Sequence, residues 1–144
     1  MEPLALDHLV IAVSDLARAD DFYAHVLGAI VQEHVPGRRS YHIAGQQVNV
    51  HHPGMTATLV AREPVRPGNS DLCFVWPGTA GQAVAHLTAC GVTVEVGPEP
   101  RTGAGGRGLS VYFRDPDGSL LELISYEDDA SSRPTPAGRS SSPS

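Results

Sequence analysis

Four side chains in this sequence are of the types that hold a divalent ion: His8, His51, Asp71 and Glu122. Imidazole nitrogen with carboxylate oxygen is the donor set of Zn, Ni, Fe and Mn sites. The chain also limits what else can do chemistry. Its ten basic residues are all Arg. Without a Lys amine there is no Schiff base with a carbonyl substrate, and no P-loop ammonium to reach a phosphate. Electrophilic activation is left to a metal ion or to Arg. A formal net charge of -6 gives no basic field for nucleic acid.

The four residues are distant in sequence, so the elements that carry them decide whether they meet. Two stretches, HLVIAV at 8–13 and DLCFVW at 71–76, read as short strands rich in β-branched or aromatic residues. Each leads into a helical pattern. The first has Leu16, Ala19, Phe22, Tyr23 and Val26 at spacings of three and four, and the second has Ala83, Val84, Leu87 and Cys90. Asp15 and Thr79 are expected N-caps, and Gly28 and Gly91 end the helices. His8 to Gly28 spans twenty residues, and so does Asp71 to Gly91.

Three strands are expected after each glycine. In the first half they are 29–35, 40–44 and 48–52. In the second they are 92–96, 109–113 and 120–126, the last two joined by a turn at DPDG, 115–118. The expected fold class is therefore α+β: two tandem βαβββ modules forming a curved, cleft-enclosing mixed sheet with helices outside. Module one covers 4–60 and module two 69–127. Residues 128–144 carry no apolar side chain larger than Ala or Pro and are expected to be a disordered tail.

Alternation along each strand sorts the side chains. Leu9, Ile11 and Val13, like Leu72, Phe74 and Trp76, face the helix side. His8 and Asp71 then face the cleft. Leu121 and Leu123 are core, which turns Glu122 to the cleft. Val48 and Val50 are core, which turns Asn49 and His51 there. Arg101 sits in a Gly-rich stretch, RTGAGGRG, expected to be a loop able to close over a substrate carboxylate. Tyr112 is placed on the cleft face. His25, His34, His42 and His86 read as surface or half-buried residues, and Arg38-Arg39 as a solvated pair. Cys73 and Cys90 are too few for a disulfide framework and are expected reduced and buried. No apolar run approaches the ~18 residues of a membrane span, and the start of the chain lacks a secretory pattern. A cytoplasmic protein is the expectation.

The stretches LDHLVIAVSDLARADDFYAHVLGA and YFRDPDGSLLEL resemble the vicinal oxygen chelate superfamily, which includes glyoxalase I, bleomycin- and fosfomycin-resistance proteins and extradiol dioxygenases. The resemblance runs over residues 5 to 127. Within it, NVHH, GNSDLCFV, HLTACGV, EVGPEPRTGA and YFRDPDG are similar to the glyoxalase domain-containing protein 5 group. The resemblance implies paired modules, a divalent metal in the cleft, a small-molecule substrate and a homodimer. Ligands of metal-dependent members come from the first and last strand of each module, which are His8, Asn49, Asp71 and Glu122 here. Asp71 stands where many members have His, and Asn49 where they have Glu, Gln or nothing.

The expected ligand set is accordingly His8, His51, Asp71 and Glu122 around Zn, Ni, Mn, Co or Fe. Glu122 or His51 moves the proton, while Asn49, Arg101 and Tyr112 bind substrate. The expected activity is that of a metal-dependent lyase or isomerase acting through a metal-stabilised enolate or alkoxide. A metal-free drug- or metabolite-binding resistance protein is the alternative. An extradiol-type dioxygenase is a second alternative, against which Asp71 counts, because that chemistry takes a second His.

Overall fold

The structure, a computed structural model, describes residues 1–127; the expected tail at 128–144 lies outside the described residues. The element order repeats as the sequence suggests. Module one comprises β1 (His8–Ala12), α1 (Leu16–Leu27), β2 (Ile30–Val35), β3 (Arg38–Ile43) and β4 (Gln46–His51). Module two comprises β5 (Asp71–Trp76), α2 (Ala80–Ala89), β6 (Val96–Gly103), β7 (Gly106–Arg114) and β8 (Leu120–Ser125). Each module forms a four-stranded mixed sheet, ordered β1-β4-β3-β2 in one and β5-β8-β7-β6 in the other. The first strand runs parallel to the last, and the remaining pairs are antiparallel.

Local chemistry sets the helix ends. The Asp15 carboxylate accepts from the Arg18 backbone N–H at 3.0 Å. Thr79 and Gln82 make a reciprocal capping box. Gly28 closes α1 in the left-handed conformation (φ 68°), which Gly adopts without steric cost. The C-cap of α2 is Cys90, with left-handed Gly91 just after it.

Ile11, Val13, Val48, Val50, Tyr23 and Tyr41 are buried between sheet one and α1. Val111, Phe113, Leu121, Leu123, Ala83 and Leu87 are buried between sheet two and α2. Fully burying an aliphatic or Phe side chain of this kind contributes about 1.5–3 kcal/mol. The two clusters join. Leu72 and Phe74 of β5 pack on cluster one, Val26 of α1 belongs to cluster two, and Phe22 packs against both. The modules therefore meet through their helix-side faces.

A polar stitch reinforces this contact. Asp117 accepts from the Ser14 backbone N–H at 3.0 Å, from the Ser14 hydroxyl and from Arg18 Nη2 at 3.4 Å. Asp115 is buried and accepts from the Tyr23 hydroxyl at 2.9 Å and from the backbone N–H groups of Asp117 and Ser119, both at 2.9 Å. The DPDG turn forms as expected and also ties module two to β1 and α1.

The structure departs from the sequence reading in two places. The strand placed at 92–96 begins at Val96 and runs to Gly103, so RTGAGGRG is the tip of the β6–β7 hairpin rather than an open loop. Val92 and Val94 pack on cluster two outside any ladder. The cysteines are free, as expected, but both are exposed rather than buried. Cys73 shares a face with Asp71 because Leu72 and Phe74 take the core side, and Cys90 sits at the end of α2.

Candidate functional site

The polar faces of the two sheets repeat each other in register. On sheet one His8 pairs with Gln47, and Asn49 lies two residues farther along β4 on the same face. On sheet two Asp71 pairs with Leu120, and Glu122 lies two residues farther along β8. His8 and Asn49 are thus diagonal neighbours, as are Asp71 and Glu122, at a spacing that long side chains bridge. Position for position, the modules offer equivalent pairs of donors.

His51 belongs to a different level. It pairs with Ala12, four residues along β1 from His8. At ~3.3 Å per residue that is about 13 Å along the strand, too far for one ion to take both imidazoles. The expectation that His51 joins His8 around a metal is revised on this ground. Gln47 stands directly beside His8, and no local pattern marks it. Only the parallel register of β1 and β4 reveals it, and strand alternation alone does not fix a register.

On sheet two, Glu122 is flanked by Tyr112 on β7 and Cys73 on β5. The buried Ser110 hydroxyl donates to Glu122 Oε2 at 2.5 Å. The Cys73 thiol is pushed up to about 12, by desolvation of its sulfur first and by the Glu122 carboxylate next. It keeps its proton at neutral pH although the residue as a whole is exposed. Arg101 Nε donates to the Tyr112 hydroxyl at 3.0 Å, Nη2 to Glu99 at 3.0 Å and Nη1 to the Pro100 carbonyl at 2.8 Å. The Tyr112 and Glu99 contacts raise the Arg101 pKa above its ordinary value. The Arg101 guanidinium is therefore held along the sheet rather than carried on a closing loop.

One chain does not bring the two donor pairs together. Among the described residues, no three of His, Cys, Asp and Glu gather closely enough to hold an ion. The reason is architectural. The helix-side faces meet in the shared core, so the polar faces belong to the other sides of the sheets. Strands β1 and β5 end their sheets and pair with nothing on their outer edges among the described residues. Where the modules adjoin, a cavity of about 340 Å³ is lined by His8, Leu9, Gln47, Leu72, Cys73 and Phe74, among others. A second cavity, of about 200 Å³, lies on sheet one around Ser40, Asn49 and His51. No helix among the described residues is long and apolar enough to cross a membrane.

Comparison with known proteins supplies the context. The family model for the Glyoxalase/Bleomycin resistance protein/Dioxygenase superfamily matches residues 5–123. The glyoxalase domain-containing protein RDO1 of Mycosarcoma maydis is 43% identical over 86% of this chain and 69% of its own length. Virulence protein STM3117 of Salmonella typhimurium is 36% identical over 84% of this chain and 83% of its own. Its crystal structure superposes with a TM-score of 0.82, covering 88% of this chain and 100% of that one at 35% identity. At the level of the fold alone, the chain is similar to the fosfomycin resistance protein FosX of Listeria monocytogenes complexed with Mn(II) and sulfate. That likeness has 22% identity and a TM-score of 0.60, over 86% of this chain and 91% of the other. With paired βαβββ modules and a match over nearly the whole described chain, this protein belongs to the glyoxalase/bleomycin resistance protein/dioxygenase superfamily.

Proposed function

We propose that this protein is a metal-dependent enzyme acting on a small molecule, a lyase or isomerase of glyoxalase type, and that it works as a homodimer. The observation that carries the reading is the matched pair of donor diagonals, His8 with Asn49 and Asp71 with Glu122. His8, Asp71 and Glu122 are the residues that would hold the ion, and Asn49 completes the fourth position weakly or turns to substrate. Their imidazole and carboxylate chemistry suits a borderline divalent cation such as Zn, Ni, Mn, Co or Fe. When bound, such an ion supplies positive charge to a substrate oxygen on which negative charge develops. The shared core turns the two polar faces apart, so the cleft combines sheet one of one copy with sheet two of another.

The chain's own groups do the rest. Ser110 fixes the Glu122 carboxylate by donating to Oε2. Tyr112 accepts from Arg101, which leaves its own O–H to donate to substrate beside Glu122. His51 is left to move the proton, because it stands clear of His8 on the same face.

Metal analysis of the purified full chain tests the reading. Stoichiometric Zn, Ni, Mn, Co or Fe is expected to co-purify or to bind on addition, and H8A with E122A is expected to lose it while remaining folded. Unchanged affinity in that double variant, or no ion bound by the parent protein, overturns the reading.

One observation favours a metal-free binding role instead. The cavity at the module seam has Leu6, Leu9, Ile43, Leu72, Phe74 and Val75 in its wall, and small-molecule sites are typically lined this way. Saturable uptake of an apolar probe by metal-stripped protein, together with absence of any bound ion, would decide for that alternative. Dioxygenase chemistry finds less support, since Asp71 occupies the place of a second imidazole.

A further inference from the structure

We infer that the polar face of sheet one carries an oxyanion-binding subsite built on Arg38, Asn49 and His51. It takes the carboxylate or phosphate-type group of a small molecule. These residues share the cavity of about 200 Å³ with His34, Ser40 and Gln47, and no Asp or Glu lines it.

Register places the donors side by side. Ser40 pairs with Asn49 and Arg39 with Val50 across β3 and β4. Arg38 and His51 lie just beyond the last of these pairs and line the same cavity. Side chains directly opposite, as Ser40 and Asn49 are, have Cβ atoms about 4.5–5.5 Å apart.

The neighbouring Arg39 is a built-in contrast. It also borders the cavity, but Asp20 at 3.3 Å and Glu33 at 3.5 Å neutralise it. Arg38 has no such carboxylate; no ion pair of the described residues involves it. Asn49 is oriented by accepting from Gln47 Nε2 at 2.8 Å through its own Oδ1. That contact occupies the amide oxygen and leaves the Asn49 amide N–H groups as its remaining donors, on a residue that lines the cavity. A planar guanidinium fork, an amide donor and an imidazole lining one cavity without a carboxylate suit an oxyanion.

The inference rests on the proposed function only in making this anion part of the substrate. Its location sets the anionic group beside His51, the proposed proton carrier. Of the expected solvated pair, Arg38 is exposed and Arg39 is instead ion-paired with Asp20 and Glu33.

The test uses the metal-stripped full chain, with inorganic phosphate and acetate titrated separately and followed by amide NMR. Saturable shifts are expected at residues 34, 38, 40, 49 and 51. R38Q is expected to weaken binding about tenfold, as loss of a charge-assisted bond does. R38K, which keeps the charge but not the fork, should weaken it less. R107Q removes an equal charge from the exposed tip of β7 and should leave binding intact. No saturable shift with either ion, or equal weakening by R38Q and R107Q, overturns the subsite. Because no metal is present, loss of the subsite and loss of the metal reading are separate results: anion binding without metal binding sinks only the latter, and the reverse sinks only the former.

Discussion

Ser110 illustrates how much a single hydroxyl can control. It is fully buried, and its bond to Glu122 Oε2 aims the carboxylate across the polar face. Outer-shell donors of this kind typically matter by 10–100-fold in metal affinity. S110A is therefore expected to weaken ion binding by about tenfold in a competition titration while S110T largely preserves it; equal affinity in S110A would show that Glu122 needs no holder. Tyr23 makes a different prediction. Burial first, and the Asp115 carboxylate next, raise its phenol far above the ordinary range, and Tyr41 is raised in the same sense by burial and Asp20. A folded-state pKa above the unfolded value of ~10 means the native chain holds protons that the unfolded chain releases. The contribution of these two tyrosines is thus intact below about pH 10 and declines as pH rises above it. Y23F is expected to lose about 1–3 kcal/mol at neutral pH, because buried Asp115 loses a donor. It should also show a shallower alkaline decline in denaturant titrations, with Tyr41 and Cys73 remaining. An unchanged alkaline slope would refute the assignment to Tyr23.

At the scale of the element, the β6–β7 hairpin shows what local pattern conveys and what it does not. Pro98 and Pro100 argue against a strand, and RTGAGGRG reads as a loop. Yet β6 is an outer strand, where a missing N–H is tolerated. The glycines serve contact rather than freedom. A Cβ at Gly103 would meet the Tyr126 hydroxyl, one at Gly105 would lie 2.8 Å from the Tyr126 ring, and one at Gly108 would lie 2.6 Å from the Ser125 carbonyl. Tyr126 seats on this strip and accepts from the Gly105 N–H at 3.0 Å. G103A should cost about 1–3 kcal/mol in the parent chain, as overpacking does, and much less in a Y126A background. G108A should be costly in both, because it meets backbone. Additive G103A and Y126A effects in a thermal-unfolding cycle would refute the seat. Where local cues agree, the elements were legible: Asp15, Thr79 and Gly28 cap as their types demand, and the alternation of Leu9, Ile11 and Val13 put His8 on the polar face. What stayed hidden is tertiary. No local pattern reveals that His8 sits beside Gln47 rather than at the level of His51, or that Asp115 and Asp117 of a turn reach Tyr23 and Ser14 of the other module.

At the scale of the whole molecule, the modules meet through their helix-side faces, and on the proposed reading this leaves one chain without a complete ion site. His8 lies on the polar face of sheet one, Asp71 and Glu122 on that of sheet two, and Phe22, Leu72 and Phe74 hold the opposite faces together. A second copy supplies what is missing if its sheet two covers sheet one of the first. Twofold symmetry then creates two such clefts, each drawing on both chains. This arrangement has a consequence that an intrachain site lacks. A homodimer of H8A damages sheet one in both clefts, and a homodimer of E122A damages sheet two in both, so neither should bind the ion. In a mixed dimer, one cleft combines the two damaged sheets and the other combines the two intact ones. Co-expressed and purified as the heterodimer, H8A with E122A should bind one ion per two chains. Metal analysis alongside light scattering measures both quantities at once. If each chain held its own site, every site in the mixture would carry a lesion and no ion would bind. A heterodimer without metal, given parent protein that binds it, would therefore place the cleft within a single chain and require the two modules to rearrange.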